Sequence, residues 1–295
     1  MDILQQGTLY LVATPIGNLE DMTFRAVRIL SEVDVIAAED TRVTQKLCRH
    51  YEIRTPLTSY HEHNKEESGQ VLLERIKEGE NVALVSDAGT PAVSDPGYEL
   101  VVAAVREGIP VVPIPGANAA ITALIASASP TDSFGFVGFL PRKSKEKKDR
   151  MKEVAAWGMT WVFYESPHRV KDTLTALNET FSECQVTVAR ELTKKFETFH
   201  RGTPTELLQY FDEHAPRGEC CFVVNGCVAS AKEDELWWEG LSIYDHVKTY
   251  VAKGETDKTA IKRAAVDRQM AKREVYGAYH VTTSKYLKII KKNNT

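Results

Sequence analysis

No stretch of the 295-residue chain approaches the roughly 18 uncharged apolar residues that a membrane span requires. Its start, Met1 to Gln6, lacks the basic-then-apolar pattern of a secretion signal, which predicts a cytoplasmic protein without a membrane partner. Cysteine is sparse. The five residues Cys48, Cys184, Cys220, Cys221 and Cys227 form no metal-ligand spacing, and the adjacent pair in an apolar run is expected to point to opposite faces of a strand. Reduced, structural thiols and no metal are expected.

What is present indicates a globular chain. With 43% hydrophobic and 26% charged residues, it has the length for two ordinary domains and a small appendage. The charge is polarised: Leu241 to Thr295 carries twelve Lys or Arg against five Asp or Glu, a net of +7, leaving −11 on the preceding 240 residues. A basic tail on an acidic body suggests an anionic partner such as nucleic acid; the competing reading is a solvated helix face.

Short apolar runs alternate with amphipathic segments. Strands are predicted at Thr8–Ala13, Val33–Ala37, Asn81–Ser86 and Pro110–Ile114, with helical patterns between them, which indicates a parallel sheet. A second series follows at Phe134–Phe139, Thr160–Tyr164, Gln185–Ala189, Glu197–Arg201 and Glu219–Val224. The fold class is therefore α/β, with domains at 1–117 and 118–231 joined near residues 116 to 130. Residues 232–295 form a basic helical appendage, with helices predicted at Ile243–Ala252, Lys258–Met270 and Arg273–Tyr279.

Polar clusters fall at the predicted strand ends. Ser86 to Gly97 holds more turn-formers and small polar side chains than packing requires, at the sheet edge where open α/β proteins bind ligands. Thr14 to Asn18, including Pro15, precedes Thr23, a helix-cap candidate, so backbone amides there are candidates for facing a ligand. Glu39, Asp40, Thr41 and Arg42 offer carboxylates and a guanidinium to orient hydroxyls or take a proton; a helix cap with a solvated charge pair is the other reading. His61 and His63 share a face of an extended segment, but no further cluster completes a metal site, so contact of His61 and Asn64 with ribose or phosphate needs fewer assumptions. The small residues around Asn118 and Ala119 allow close approach of a flat ligand. Glu165, His168 and Arg169 after one strand, and Arg190 and Lys194 after the next, are placed beside the same cleft. Six basic residues between Phe139 and Arg150, among them Arg142 and Lys143, are expected in a loop suited to phosphate contacts.

Read in order, Ala-Thr-Pro-Ile-Gly-Asn, Ala-Ala-Glu-Asp-Thr-Arg, Ser-Asp-Ala-Gly-Thr-Pro, Ser-Asp-Pro-Gly, Phe-Tyr-Glu-Ser-Pro-His-Arg and Ala-Arg-Glu-Leu-Thr-Lys resemble the tetrapyrrole methylase superfamily from about Gly7 to Gly226. The likeness is to its branch that methylates a cytidine ribose 2′-hydroxyl in small-subunit ribosomal RNA. That resemblance implies two α/β domains with S-adenosyl-L-methionine in the cleft between them, usually a homodimer, and no Rossmann glycine fingerprint. It implies Val93, Ser94, Asn118, Ala119, Tyr164, Leu192, Gly202 and Thr203 around the methyl donor. The superfamily's Gly-Asp-Pro loop stands here as Gly89, Thr90 and Pro91, so backbone contacts are expected there, with Asp87 and Asp95 bracing turns or touching the donor. Of the superfamily's first-loop glycines only Gly17 remains.

Methyl transfer to a hydroxyl needs in-line positioning, worth up to about 7–11 kcal/mol in ideal intramolecular models. A general base adds roughly 10²–10⁴-fold. Glu39 or Asp40 is the candidate base, aided by Arg42 and His61, with Glu165, Arg190 and Lys194 supporting the other wall. The expected partner is small-subunit ribosomal RNA, naked or in the assembled subunit. Two alternatives are a methyltransferase acting on a tetrapyrrole or corrinoid, and a ligand-sensing helix-turn-helix regulator. The basic loop and tail are awkward for the first, and the converging acid, imidazole and guanidinium groups are unnecessary for the second.

Overall fold

A computed structural model of the protein describes residues 6–229, 238, 240–268 and 270–280. The chain divides into two compact units, Met1–Ser230 and Ala231–Thr295.

The first unit begins with β1 (Leu9–Val12), α1 (Phe24–Glu32), β2 (Val35–Ala38), α2 (Thr41–His50), β3 (Leu57–Ser59), α3 (Lys65–Lys77), β4 (Val82–Val85), α4 (Tyr98–Arg106) and β5 (Val111–Ile114). The five strands form a parallel sheet in the order β3-β2-β4-β1-β5. Both faces are covered, which is why β2 and β4 read as unbroken apolar runs. Val35, Ala37, Val82 and Leu84 pack with Leu72, Ile76 and Leu100 of α3 and α4. Their strand neighbours Ile36, Ala38, Ala83 and Val85 pack on the opposite side with Ile29, Leu30 and Cys48 of α1 and α2. Strand β3 is an addition to the predicted set: three residues, none fully buried, give too short a pattern to register.

After α5 (Ala119–Ile125), the second sheet is built from β6 (Phe134–Phe139), β7 (Thr160–Glu165), β8 (Phe181–Arg190), β9 (Thr198–Gly202) and β10 (Cys220–Ala229), with α6 (Ser144–Ala155), α7 (Val170–Thr180) and α8 (Pro204–Glu213) between them. Its order is β6-β7-β10-β8-β9; β6 and β7 run parallel and all other pairs antiparallel. Only residues 191–197 join β8 to β9, far short of the dozen or more residues that a parallel crossover needs, so that pair must turn back. One face packs on α6, α7 and α8 through Trp161, Phe163 and Phe222, whose rings stack at 5.3 and 4.8 Å. The other carries Val162, Ala189, Cys221 and Val223 against α5. Cys220 and Cys221 therefore do face opposite sides.

The expected basic loop between Phe139 and Arg150 is mostly helix. α6 begins at Ser144, Lys147 is buried and donates to the Thr173 hydroxyl at 3.1 Å, and Lys148 and Arg150 pair with Glu179 and Glu153. Lys147, Met151 and Val154, spaced by four and three residues, form the buried face of this helix.

The second unit has α9 (Ile243–Ala252), α10 (Asp257–Asp267) and helical residues 272–280 around Val247, Tyr250, Ile261, Ala264, Val275 and Tyr279. Ser242 and Thr256 cap the first two helices through Asp245 N and Thr259 N. α10 ends before the expected Met270, and the Lys-rich run 285–292 lies outside the described residues. Among the described residues no helix is long and apolar enough to cross a membrane.

Phe222 is fully buried in the ring stack. Phe222→Ala is expected to destabilise the first unit by about 3–5 kcal/mol, read from the urea-unfolding midpoint at unchanged slope.

Candidate active site

Because all five strands of the first sheet point one way, every loop that leaves a strand for a helix emerges at the same edge. The loops after β1, β2, β4 and β5 bring Ile16, Glu39, Asp87 to Asp95, and Asn118 with Ala119 to a cavity of about 430 Å³. The facing wall comes from the second sheet: Phe139 ends β6, Tyr164 to Pro167 close β7, Ala189 and Leu192 lie at the end of β8, and Glu219 to Cys221 open β10.

Backbone ties hold the first wall. Thr14 and Gly89 exchange N–H···O bonds of 2.9 and 3.0 Å, and the Thr14 hydroxyl donates to Ser86 O at 3.2 Å. Asn118 caps α5 by accepting from Ile121 N at 3.1 Å, and its amide donates to the Thr90 hydroxyl at 3.2 Å. Ala92 and Ser94 both have φ of +64°, as do Glu191 and Thr193 at +50° and +66° across the cavity. Each left-handed non-glycine residue costs roughly 1–3 kcal/mol, and such strain is characteristic of sites whose geometry is imposed by their surroundings. At Gly97, φ +143°, a Cβ would lie 2.7 Å from Leu84 Cδ2, so only glycine closes this loop onto α4.

The lining is strongly acidic. Glu39, Asp87, Asp95, Glu165 and Glu219 contribute to it, and no Lys or Arg does. Burial pushes Asp95 up to about 6, with the charges of Glu39 and Asp87 adding to the shift. Glu39 is also raised, chiefly by burial and further by the Asp87 and Asp40 charges, while the Asp87 backbone N–H and His61 oppose the shift. Asp40 behaves oppositely. It caps α2 through Arg42 N at 2.8 Å and holds the Arg42 guanidinium at 3.0 and 2.6 Å, which lowers it to about 2. Its N–H donates to Asp87 at 3.0 Å.

Residues 8–208 match the family model described as Tetrapyrrole (Corrin/Porphyrin) Methylases. The chain belongs to this tetrapyrrole methylase family. It is 55% identical over 275 residues to the Ribosomal RNA small subunit methyltransferase I of Halalkalibacterium halodurans, covering 93% of this chain and 95% of that one. To the protein of the same name from Bacillus subtilis it is 56% identical, covering 93% and 94%. Among solved structures, a cobalt precorrin-4 methyltransferase aligns with a TM-score of 0.55 at 21% identity, covering 74% of this chain and 94% of that one. Diphthine synthase aligns with 0.58 at 13%, covering 74% and 90%. These two likenesses concern the fold.

On this tetrapyrrole methylase scaffold, Glu39, Asp87, Gly89, Thr90, Val93, Ser94, Asn118, Ala119, Tyr164, Glu165 and Leu192 meet at the cavity. Asp95, expected with Asp87 to brace a turn or touch the donor, and Ser166 of the cluster after β7 also line it, while Ile16, Phe139, Glu219 and the two adjacent cysteines join without having been singled out. The cysteines gave only a strand pattern. Pro15 lies one residue from the lining. His61 is outside it but near enough to influence Glu39, and its Nδ1 is buried without a hydrogen-bond partner.

Several expected ligand residues, Glu165 of the lining among them, are occupied within the fold. The Asn64 side chain staples its own loop, accepting from His61 N and donating to Ser59. Glu165 is buried among Thr173, Ser166 N and Arg169, and Arg169 also donates to Leu140 O and Pro141 O. Arg190 donates to Arg217 O, and Lys194 bridges Glu191 and Glu219. Gly202 and Thr203 lie away from the lining, Thr203 forming a capping box with Glu206 at the start of α8. Arg142, Lys143 and His168 are exposed, Lys143 pairing with Glu146. The Lys194 stem lies against Gly17, where a Cβ would come within 2.5 Å of Cγ, so the loop after β1 and the loop after β8 touch at a bare backbone. Among the described residues no group of three or more His, Cys, Asp or Glu is arranged to hold a metal ion.

The raised Asp95 carboxyl favours the folded state fully below its ordinary value of 3.8, and that contribution is lost as pH rises through about 6. A shift of this size is worth about 3 kcal/mol if fully transmitted, reduced to about 1–2 kcal/mol by partial exposure. Asp95→Asn should therefore gain about 1–2 kcal/mol relative to the parent between pH 4 and pH 8, measured by denaturant unfolding; a pH-independent difference would contradict this.

Proposed function

We propose that the protein is an S-adenosyl-L-methionine-dependent methyltransferase that methylates the ribose 2′-hydroxyl of a cytidine in small-subunit ribosomal RNA. The observation that carries this reading is the match, over more than nine-tenths of the chain, to two proteins named as small-subunit ribosomal RNA methyltransferases. We further propose that it acts in the cytoplasm as a homodimer, with lobes at 1–117 and 118–231 and a basic appendage at 232–295. Ile121 and Ile125, exposed one turn apart on α5, offer apolar surface for a second copy.

The cavity suits this methyl donor on chemical grounds. Its carboxylates favour a ligand that carries a sulfonium and an ammonium, while Phe139, Tyr164, Leu192 and Ala119 supply apolar surface for a flat base. S-adenosyl-L-methionine supplies a methyl group already activated by the sulfonium charge. The chain must place a hydroxyl in line with that methyl and accept a proton. Of the adjacent carboxylates, Glu39 is the better acceptor: it lines the cavity and its affinity for a proton is raised, whereas Arg42 holds Asp40 near 2. Asp40 thus serves to position Arg42 and α2, and His61 tunes Glu39.

Purified protein, labelled methyl donor and undermethylated small ribosomal subunits should yield labelled 2′-O-methylcytidine on nucleoside analysis, and a corrinoid precursor should stay unlabelled. Label in the corrinoid alone would overturn the proposal. Glu39→Gln is expected to lower kcat by roughly 10²–10⁴-fold, with Asp40→Asn less affected; equal activity of Glu39→Gln and the parent would sink the assignment of Glu39.

The described basic residues of the second unit, together with the run at 285–292, support a role in holding RNA. Truncation after residue 231 should weaken RNA binding and flatten its dependence on salt while leaving methyl-donor affinity unchanged. Unchanged RNA affinity would make the appendage structural.

A further inference from the structure

A second, open groove of about 830 Å³ runs along α2 and the segment that returns to β3. Its character is the reverse of the acidic cavity. Arg42, Arg49 and Arg54 line it with Thr41, Gln45 and Thr55, and Glu52 is its single carboxylate. All three arginines are exposed, and among the described residues only Arg42 of the three has a carboxylate partner. Arg42 spends one edge of its guanidinium on Asp40 and keeps the other free, with the side chain 86% exposed. Three unburied guanidiniums gathered on one groove are conspicuous in a body whose first 240 residues carry −11.

The groove and the cavity are joined by consecutive residues. Glu39 lines the cavity, and Thr41 and Arg42 line the groove, so the two sites lie within about 7–11 Å of chain. The fold fixes that step, because β2 ends at Ala38 and α2 starts at Thr41 with Asp40 as its cap. Arginine forks match phosphate oxygens in geometry, and exposed guanidiniums exchange their counterions for a polyanion.

We infer that this groove is a subsite for the RNA phosphate backbone flanking the target nucleotide, with Arg49 and Arg54 as its anchoring cations and Arg42 as the residue that leads the strand to Glu39. The strand is held by positive charge along α2, and the reacting ribose enters the acidic cavity that begins at Glu39, two residues before the helix. This confines the anionic backbone to the groove while a hydroxyl reaches the acids. The inference rests on the ribosomal RNA reading above.

The test uses full-length Arg49→Ala/Arg54→Ala and Arg49→Lys/Arg54→Lys, the parent, undermethylated small subunits and a naked transcript of their RNA. Binding is followed from 50 to 300 mM salt, and methyl-donor affinity is measured by calorimetry on the same samples. The alanine pair is expected to weaken transcript binding by 10-fold or more at low salt and to reduce the salt slope by roughly 0.7 per arginine removed. Methyl-donor affinity should be unchanged, and the lysine pair should retain most of the binding. Unchanged transcript affinity and slope in the alanine pair would overturn the subsite. Weakened binding to subunits with an unaltered transcript would also overturn it, by assigning the groove to a ribosomal protein. A parent that binds neither probe would sink the RNA reading itself, and this inference with it.

Discussion

The direction of the first sheet is the constraint on which the rest depends. Parallel pairing of β1 to β5 forces each strand-to-helix loop to one edge, so residues distant in sequence, from Ile16 to Ala119, meet without a long excursion of chain. Direction alone does not set their spacing. The two-way bridge between Thr14 and Gly89 and the Asn118 to Thr90 contact lock three of those loops together, and the left-handed residues Ala92 and Ser94 show that the lock overrides local preference.

Within that frame, the separation of roles between two adjacent carboxylates is an environmental effect. Glu39 and Asp40 share a strand end, but helix capping and a guanidinium fork stabilise the charge on Asp40, while burial among other acids destabilises the charge on Glu39. The pair is the point where the sheet edge, the first helix turn and the cavity coincide. The same few residues therefore serve as helix start, charge partner and candidate reaction centre.

The sequence made the first sheet legible because doubly buried parallel strands have a plain signature, as in β2 and β4. It was weaker where tertiary pairing decides the outcome. Strand β3 is too short to show a period, and in the second sheet only the β8–β9 reversal could be read from its short connection, the antiparallel placement of β10 between β7 and β8 being a tertiary outcome. The loops at the first sheet's edge were readable from glycine and small polar residues. The partners of individual charges were not, because tertiary contacts compete with local ones: Lys194 reaches Glu219 as well as Glu191, and Glu165 meets Thr173 as well as Arg169. Glu165, Arg169, Arg190 and Lys194 resembled ligand-facing groups and are bonded into the fold, and four of the six cations after Phe139 lie in α6, where the buried Lys147 donates to Thr173.

The contact between Gly17 and the Lys194 stem bears on access. The two loops that meet there come from opposite sheets, and Lys194 is itself anchored by Glu191 and by Glu219, which lines the cavity. The absence of a side chain at residue 17 is what lets the two loops meet. A side chain at this position would displace the Lys194 stem and strain the ion pair that ties the loop after β8 to Glu219 of the lining, so the bare backbone at residue 17 sets how closely the two walls meet.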